Sequence, residues 1–407
     1  MNVLGKHALV EQFDLLALTP DFYRDPYPWY DALRELEPVK RMKNGSYFLT
    51  RYDDVMAVYK NPRTFSSDKH AEFGPKYGDS PLFQHHTSSL VFNDPPLHTR
   101  VRRLIAGALT PRAIAGMEEG LNQLVAQLLD RMATKGLVDL IDDFAAAIPI
   151  EVIGNLLAVP HAERGPLREW SLAILGALEP VLTPQAAERG NRAVTEFSNY
   201  LEGLIERRRN TPDDPAHDVL TRLIQGEEGG ERLTPAELMH NCIFLLNAGH
   251  ETTTNLIGNG LVALHDNPDQ KQRLLAEPEL IRPAIEEVLR YESSNQLGNR
   301  ITTETVEIGG VAMPPQTQVT VCIGAANRDP AQFAEPDRFD IGRMPNRHVA
   351  FGSGIHQCAG MNLARLEGRI ALPAFLARFP DFKLAGAPVR GGRARFRGFL
   401  EVPARLG

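Results

Sequence analysis

Apolar positions along the chain recur mostly at the three-and-four spacing of a helix face and only rarely at the alternation of a half-buried strand. Between Gly120 and Gly136, the residues Leu121, Leu124, Val125, Leu128, Leu129 and Met132 share one face, and Gly136 offers a stop. Thr183 as cap and Pro184 in the first turn predict a second helix, which presents Phe197, Leu201, Leu204 and Ile205. It ends near the basic run Arg207 to Arg209, where cations complement the helix dipole. Strand-like runs are short: Ser46 to Arg51, Thr305 to Ile308 and Gln318 to Cys322. Asn210 to Asp218 and the glycine-rich Gln225 to Gly230 read as loops, but neither separates two compositionally distinct halves. The pattern predicts a mainly α protein with small β-sheets.

One helix stands apart. Thr234 followed by Pro235 and Glu237 is a capping box with proline in the first turn, and the next proline is Pro268. A helix over Pro235 to Asp266 would be about 48 Å long at 1.5 Å per residue, enough to cross the whole molecule. Its middle, Ala248-Gly249-His250-Glu251-Thr252-Thr253-Thr254, consists largely of weak helix formers. The Thr252 hydroxyl can bond back to the Ala248 carbonyl, which opens or bends a helix locally. Taken alone, this segment also reads as a tolerated weak spot in a buried helix.

Composition narrows the function classes. With 44 Lys plus Arg against 51 Asp plus Glu, the formal charge is −7, which gives no support to a nucleic-acid binder. Hydrophobic residues at 43% and charged residues at 23% exclude a disordered chain. Residues 1–19 lack a continuous apolar core and no run reaches the roughly 18 apolar residues of a spanning helix, so a cytoplasmic protein without a membrane anchor is expected. The three cysteines, Cys242, Cys322 and Cys358, are too widely spaced for a zinc ribbon or a disulfide framework.

Phe351-Gly352-Ser353-Gly354-Ile355-His356-Gln357-Cys358-Ala359-Gly360 carries the most chemistry. Glycines around a single cysteine suit a backbone that passes close to a large flat ligand and presents the sulfur to it. The residues from Met361 to Ala374 predict a helix broken only at Pro373, whose free N–H groups would favour the thiolate. In isolation the stretch serves equally well as a glycine-rich turn around a structural cysteine.

The pattern F-G-x-G-x-H-x-C-x-G resembles the haem-binding loop of the cytochrome P450 family, and further segments match in the family's order. Asp94 to Arg103 resembles the start of the family's helix C. Ala248 to Thr253 is similar to its oxygen-activating motif, and Glu287-Val288-Leu289-Arg290 to its E-x-x-R motif. Arg300 stands where the family places a propionate-binding arginine, and Pro336-Asp337-Arg338-Phe339 resembles its meander segment. The resemblance implies a cytochrome P450-like single domain over residues 1–407, with a helix-rich lobe and a smaller N-terminal β-containing lobe. Haem b would lie between the long central helix and the helix after the Cys loop.

It implies Cys358 as axial ligand of the haem iron. His98, Arg102, Arg300 and His356 would hold the propionates, with Phe351, Gly352, Ala248, Gly249 and Gly360 around the ring. His98 and Arg102, four apart, would project from one helix face. Glu287, Arg290 and Arg338 would form a buried structural ion network. Thr252 would hold bound oxygen and its waters, and Glu251 would relay protons from solvent. The missing flavin or iron–sulfur segment resembles the bacterial class served by a ferredoxin and its reductase. A basic patch of Arg100, Arg103, Arg112, Arg365 and Arg369 would form the docking face, and a monomer is expected.

By the same resemblance the substrate would meet apolar Phe83, Leu90, Phe92, Leu246, Leu297 and Phe399. Polar candidates are His86, Ser88, Ser89, Asn247, Ser294, Asn295 and Gln296. The mixture points to a small hydrophobic organic substrate with an oxygenated end, oxidised with O2 by hydroxylation or O-dealkylation. Two departures from the family stand out: the usual proline after the E-x-x-R motif is replaced, giving the polar stretch Glu292-Ser293-Ser294-Asn295-Gln296-Leu297, and Gln316 stands where glycine is common in a turn. A peroxide-driven or isomerising haem-thiolate enzyme and a non-catalytic haem sensor are the rival readings.

Overall fold

The capping box expected at Thr234 forms reciprocally: the Glu237 N–H donates to Thr234 Oγ1 at 3.2 Å and the Thr234 N–H to the Glu237 carboxylate at 2.8 Å. The computed structural model describes residues 3–215, 218–225 and 233–407. The predicted glycine-rich loop at 226–230 lies outside the described residues, as do residues 216–217 of the turn-rich stretch.

The longer helices around the core and its cavities include α1 (Leu97–Ala108), α2 (Glu118–Ala133), α3 (Ala147–Leu156), α4 (Leu167–Gly176), α5 (Pro184–Asn210), α6 (Pro235–Asp266), α7 (Ile281–Tyr291) and α8 (Met361–Arg378). The periodicities hold. In α2 Leu121, Val125, Leu128, Leu129 and Met132 are buried, and in α5 Phe197, Leu201, Leu204 and Ile205. Pro373 does not break α8, which continues to Arg378, because its last turn is anchored by buried Phe375 and Leu376. Helix α6 spans the predicted 32 residues and packs against α3, α4, α5, α7 and α8. Every residue from Thr253 to Leu264 is buried, as expected of a helix enclosed on all sides.

The larger sheet has five strands, β1 (Val39–Arg41), β2 (Tyr47–Leu49), β3 (Phe65–Ser66), β4 (Leu297–Thr302) and β5 (Gln318–Cys322), in the order β1-β2-β5-β4-β3. The N-terminal strands are thus completed by residues 297–322. Strand β4 escapes a pattern search because Gly298, Asn299 and Arg300 interrupt its apolar positions. Gln316 adopts the left-handed conformation (φ 61°) that glycine favours, and its N–H donates to the Thr302 carbonyl at 2.7 Å. Glu292, first residue of the polar stretch without the usual proline, accepts from the Tyr27 hydroxyl at 3.1 Å and pairs with Arg390 and Arg397. Burial pushes its pKa up, but Arg397, Arg390 and Arg328 outweigh that and hold it at about 2.

The buried ion network differs from the expected one in a single member. Glu287 and Arg290 are fully buried and paired at 2.7 Å. The second cation on Glu287 is Arg343, at 3.2 Å and 11% exposed, whereas the Arg338 side chain is 58% exposed and pairs with Glu335. Arg338 contributes only its carbonyl, which accepts from Arg290 Nη2 at 3.1 Å. The reason is steric: Arg343 Nη1 and Nη2 are caught by the carbonyls of Ala334, Glu335 and Arg338, so its guanidinium is the one folded inward.

Removing one partner of a buried pair costs about 3–5 kcal/mol, whereas a surface substitution stays within about 0.5 kcal/mol. Arg343→Ala is therefore expected to lower the denaturation midpoint sharply and Arg338→Ala to leave it in place. Equal effects of the two on denaturant melts would contradict this assignment.

Candidate active site

The Cys loop is shaped by backbone constraints. Gly352 (φ 65°) and Gly354 (φ 69°) are left-handed, and a Cβ on Gly354 would run into the Tyr59 carbonyl. The Gly352 N–H donates to the Val349 carbonyl and the Cys358 N–H to the Phe351 carbonyl, both at 2.9 Å. The loop then enters α8, whose N-cap is Gly360. Cys358 is solvent-accessible yet lies deep in the protein, because what it faces is a cavity of about 330 Å³ that also reaches α1, α3, α6 and β4. Burial pushes its thiol pKa up, while the Gly360 N–H, Arg102 and Arg365 act in the opposite direction.

One edge of the cavity is cationic. Arg102 on α1, Arg300 on β4 and His356 in the Cys loop line it, and the His98 ring lies 4.2 Å from that of His356. Arg102 Nη2 donates to the Gln357 carbonyl at 2.6 Å and Arg300 Nη1 to the Asn299 carbonyl at 2.8 Å. Burial, followed by nearby positive charge, holds both histidines neutral, His356 at about 2. His356 Nε2 is buried without a hydrogen-bond partner. Two guanidinium groups and two neutral imidazoles, both with unpartnered ring nitrogens, make a site for carboxylates, which fits haem propionates.

Helix α6 forms the facing wall through Ala248, Gly249 and Thr252. The Thr252 hydroxyl donates to the Ala248 carbonyl at 2.7 Å, the back-bond predicted from the sequence. A Cβ on Gly249 would strike Ile153 of α3, so this glycine also lets two helices approach. Glu251 points elsewhere, into a small polar cavity with His250, Arg168 and Arg393. Its Oε1 accepts from Arg393 Nη1 at 2.5 Å and its Oε2 is buried without a partner. Burial raises its pKa against the pull of Arg393. Arg393 also lines a groove with Glu169, Glu179 and Arg189, and Phe396 lines both the small cavity and the main one.

Of the expected substrate contacts, Ser89, Leu90, Phe92, Asn247, Ser294, Asn295 and Leu297 line the main cavity, together with His86. Phe83, Ser88 and Phe399 do not. Phe83, in the short helix Pro81–Ser88, is half-buried against the cluster of Phe73 and Phe92 and lies edge-on to His70 at 6.0 Å. Ser88 is half-buried and offers its carbonyl to Asn241 at 3.3 Å. Phe399 is capped by the Arg390 guanidinium at 3.9 Å and lines the small cavity instead. Leu246 lies a third of a turn from Asn247 and faces the core, and Gln296 is buried beside Ser293, to whose carbonyl it donates at 2.7 Å.

Two residues at the cavities, Glu367 and Arg393, have no counterpart in the sequence reading. Glu367 is buried, and burial pushes its pKa up to about 8. Its place is accessible in principle, since Leu363, Ala364 and Glu367 form one face of α8 at three-and-four spacing, all lining the cavity. Arg393 and Arg395 lie in an irregular segment; Arg393 meets Glu251 across 142 residues of chain, and no local pattern signals that.

A family model described as "Cytochrome P450" matches residues 170–385. Cytochrome P450 107B1 of Saccharopolyspora erythraea is 41% identical, the alignment covering 97% of this chain and 98% of that protein. The chain belongs to the cytochrome P450 family. The 6-deoxyerythronolide B hydroxylase of the same organism is 38% identical over 95% of this P450 and 97% of its own length. The solved structure of P450BioI in complex with acyl carrier protein ligated to hexadec-9Z-enoic acid superposes with a TM-score of 0.90 at 35% identity, covering 95% of this chain and 99% of that one. With hydroxylases among relatives this similar, the P450 is a monooxygenase acting on a small-molecule substrate with O2. Among the described residues no helix is long and apolar enough to cross a membrane.

Gly354→Ala should clash with backbone that cannot move aside and strain a left-handed φ, at a cost of roughly 1–3 kcal/mol. Purified variant is expected to carry markedly less haem per chain than wild type, read by pyridine haemochrome assay; full occupancy would show the loop tolerates a side chain there.

Proposed function

We propose that this P450 binds haem b with Cys358 as axial ligand and inserts one oxygen atom from O2 into a hydrophobic substrate bearing an oxygenated end, by hydroxylation or O-dealkylation. A ferredoxin and its reductase supply the electrons, the protein is a monomer, and it works in the cytoplasm. The observation that carries this reading is that the Cys358 sulfur and the Thr252 hydroxyl line one cavity, with the cationic edge of Arg102, Arg300 and His356 beside them. The hexadec-9Z-enoic acyl chain of the P450BioI complex supports an extended apolar substrate.

When bound, haem would supply the activation of dioxygen, with Cys358 the residue that would hold its iron. His98, Arg102, Arg300 and His356 would hold the propionates. Phe351, Gly352 and Gly360 would leave room for the ring on the loop side, and Ala248 and Gly249 on the side of α6. Thr252 Oγ1, by leaving the Ala248 carbonyl, can turn into the cavity and donate a hydrogen bond there. Glu251 takes a proton from water in the small cavity at Oε2, the oxygen that Arg393 leaves free, and passes it inward. Arg393 positions the carboxylate for that transfer. Burial raises the pKa of Glu251, which favours its holding a proton between transfers.

The basic docking face is smaller than the sequence suggests. Arg100 pairs with Glu237, and Arg365 with Glu286 at 2.7 Å. Arg369 donates to the Arg365 carbonyl at 3.2 Å. Arg103 and Arg112 remain exposed and free of ion pairs among the described residues.

The test of the haem assignment is the reduced carbon monoxide spectrum. Wild type is expected to give a thiolate-type band and Cys358→Ser to lose it together with turnover. In Thr252→Ala reduced nicotinamide should still be consumed while peroxide replaces most of the product; a fully coupled variant would remove Thr252 from proton handling. Charge reversal at Arg103 and Arg112 is expected to slow ferredoxin reduction about tenfold or more at low salt and little at high salt, in stopped-flow measurements; a rate indifferent to both would place the docking face elsewhere.

A further inference from the structure

The cationic edge of the cavity is balanced once haem is counted, since Arg102 and Arg300 meet two propionates. A third guanidinium, Arg395, faces the same cavity, and among the described residues no ion pair or side-chain hydrogen bond reaches it. Its Nε is buried without a partner. The acids around it are already engaged. Glu72 pairs with Lys69 at 2.9 Å and accepts from Asn299 at 2.8 Å, and Glu179 accepts from the backbone N–H groups of Ala394 and Arg395 at 2.7 and 3.2 Å. The Arg395 backbone is pinned on both sides, because its carbonyl also accepts from the Gln296 N–H at 2.7 Å.

Two further groups nearby lack partners. Ser294 Oγ is buried unsatisfied, on a segment that pairs with the Arg395 strand through the bridge between Asn295 and Phe396. His86 Nε2 is likewise buried without a partner and lines the same cavity. The walls between these groups and the Cys loop are apolar, with Leu175, Leu178 and Phe396 among them. An unpaired guanidinium beside an apolar wall is costly until an anion meets it. The planar fork matches a carboxylate with two parallel hydrogen bonds. A doubly charged phosphate would need a second free cation, and the neighbouring Lys76 is already bonded to the Glu179 carbonyl at 2.7 Å.

We propose that Arg395 anchors the carboxylate of an apolar carboxylic-acid substrate, with Ser294 and His86 as flanking polar contacts, so that the acid's apolar body runs along the cavity toward Cys358. This rests on the cavity being the substrate chamber of a haem-loaded P450. It names the oxygenated end as an anion and gives it a place.

The experiment titrates ferric holoenzyme with straight-chain, terpenoid and aryl carboxylic acids, each beside its methyl ester, following both the haem spectrum and the heat of binding. At least one acid is expected to bind about tenfold or more tighter than its ester, a difference of about 1.4 kcal/mol. Arg395→Gln should erase that advantage while ester affinity and the thiolate carbonyl band persist, and Arg395→Lys should restore part of it. Equal affinity of acids and esters, or failure of every acid to bind, overturns the proposal. Loss of haem from Arg395→Gln does so too, since Arg395 would then serve a propionate. Absence of the thiolate band in wild type would instead sink the haem assignment itself, so the two failures are distinguishable.

Discussion

One fully buried carboxylate holds the approach to the Cys loop. Glu287 accepts from Arg290 Nε and Nη2, from Arg343 Nε, from the Asp340 N–H and from Asn346 Nδ2, all between 2.7 and 3.2 Å. Arg290 in turn donates to the carbonyls of Asn327 and Pro336. The Asn327 side chain accepts from the Val349 N–H at 2.7 Å, and the Val349 carbonyl accepts from Gly352 at the start of the loop. A chain of satisfied bonds thus runs from α7 to the turn that presents Cys358. Such a network stabilises only when every member is satisfied, and its value here is positional: it fixes an irregular segment that has no ladder of its own.

The second constraint is charge inside a cavity. Protein groups facing it are cationic or neutral. His98, His356 and His86 are held neutral by burial, with nearby positive charge adding to it, and Glu367 is pushed toward its protonated form. The cavity is therefore poor in negative charge of its own and rich in donors, the arrangement expected where the missing anions arrive with ligands. The same logic separates the two acids near α6 and α8: Glu251 keeps an arginine and a polar outlet, whereas Glu367 has neither and rests as a neutral group.

Local chemistry makes much of this legible. The capping box, the proline starts and the three-and-four spacing of α2, α5 and α6 appear in the fold as the sequence predicts, because each depends on residues within one or two turns. The Thr252 back-bond belongs to the same class. Strand β4 is not legible because its pairing with β5 and β3 is decided by distant residues, not by its own alternation. Arg338 and Arg343 stand in one polar segment, and only the fold of the intervening carbonyls decides which guanidinium turns inward to the buried network. Phe83, Ser88 and Phe399 fail as cavity contacts for a related reason: they lie in the right segments, but the rotation of a short helix or a hairpin sets which side they face.

The least legible feature is the segment at 393–397, on which contacts from distant parts of the chain converge. Arg393 reaches Glu251 on α6, the N–H groups of Ala394 and Arg395 are held by Glu179 beyond α4, and Arg397 pairs with Glu292 after α7. Between them Arg395 and Phe396 face the main cavity. Arg393, which holds Glu251, and Arg395, which faces the main cavity, therefore hang from one short stretch of backbone, two residues apart. Since Glu179 grips that stretch through its own N–H groups, neither arginine can shift far without loosening the other's attachment. A main-cavity wall and the support of Glu251 that share one backbone segment cannot be altered independently, which makes residues 393–397 the place where the main and the small cavity are mechanically joined.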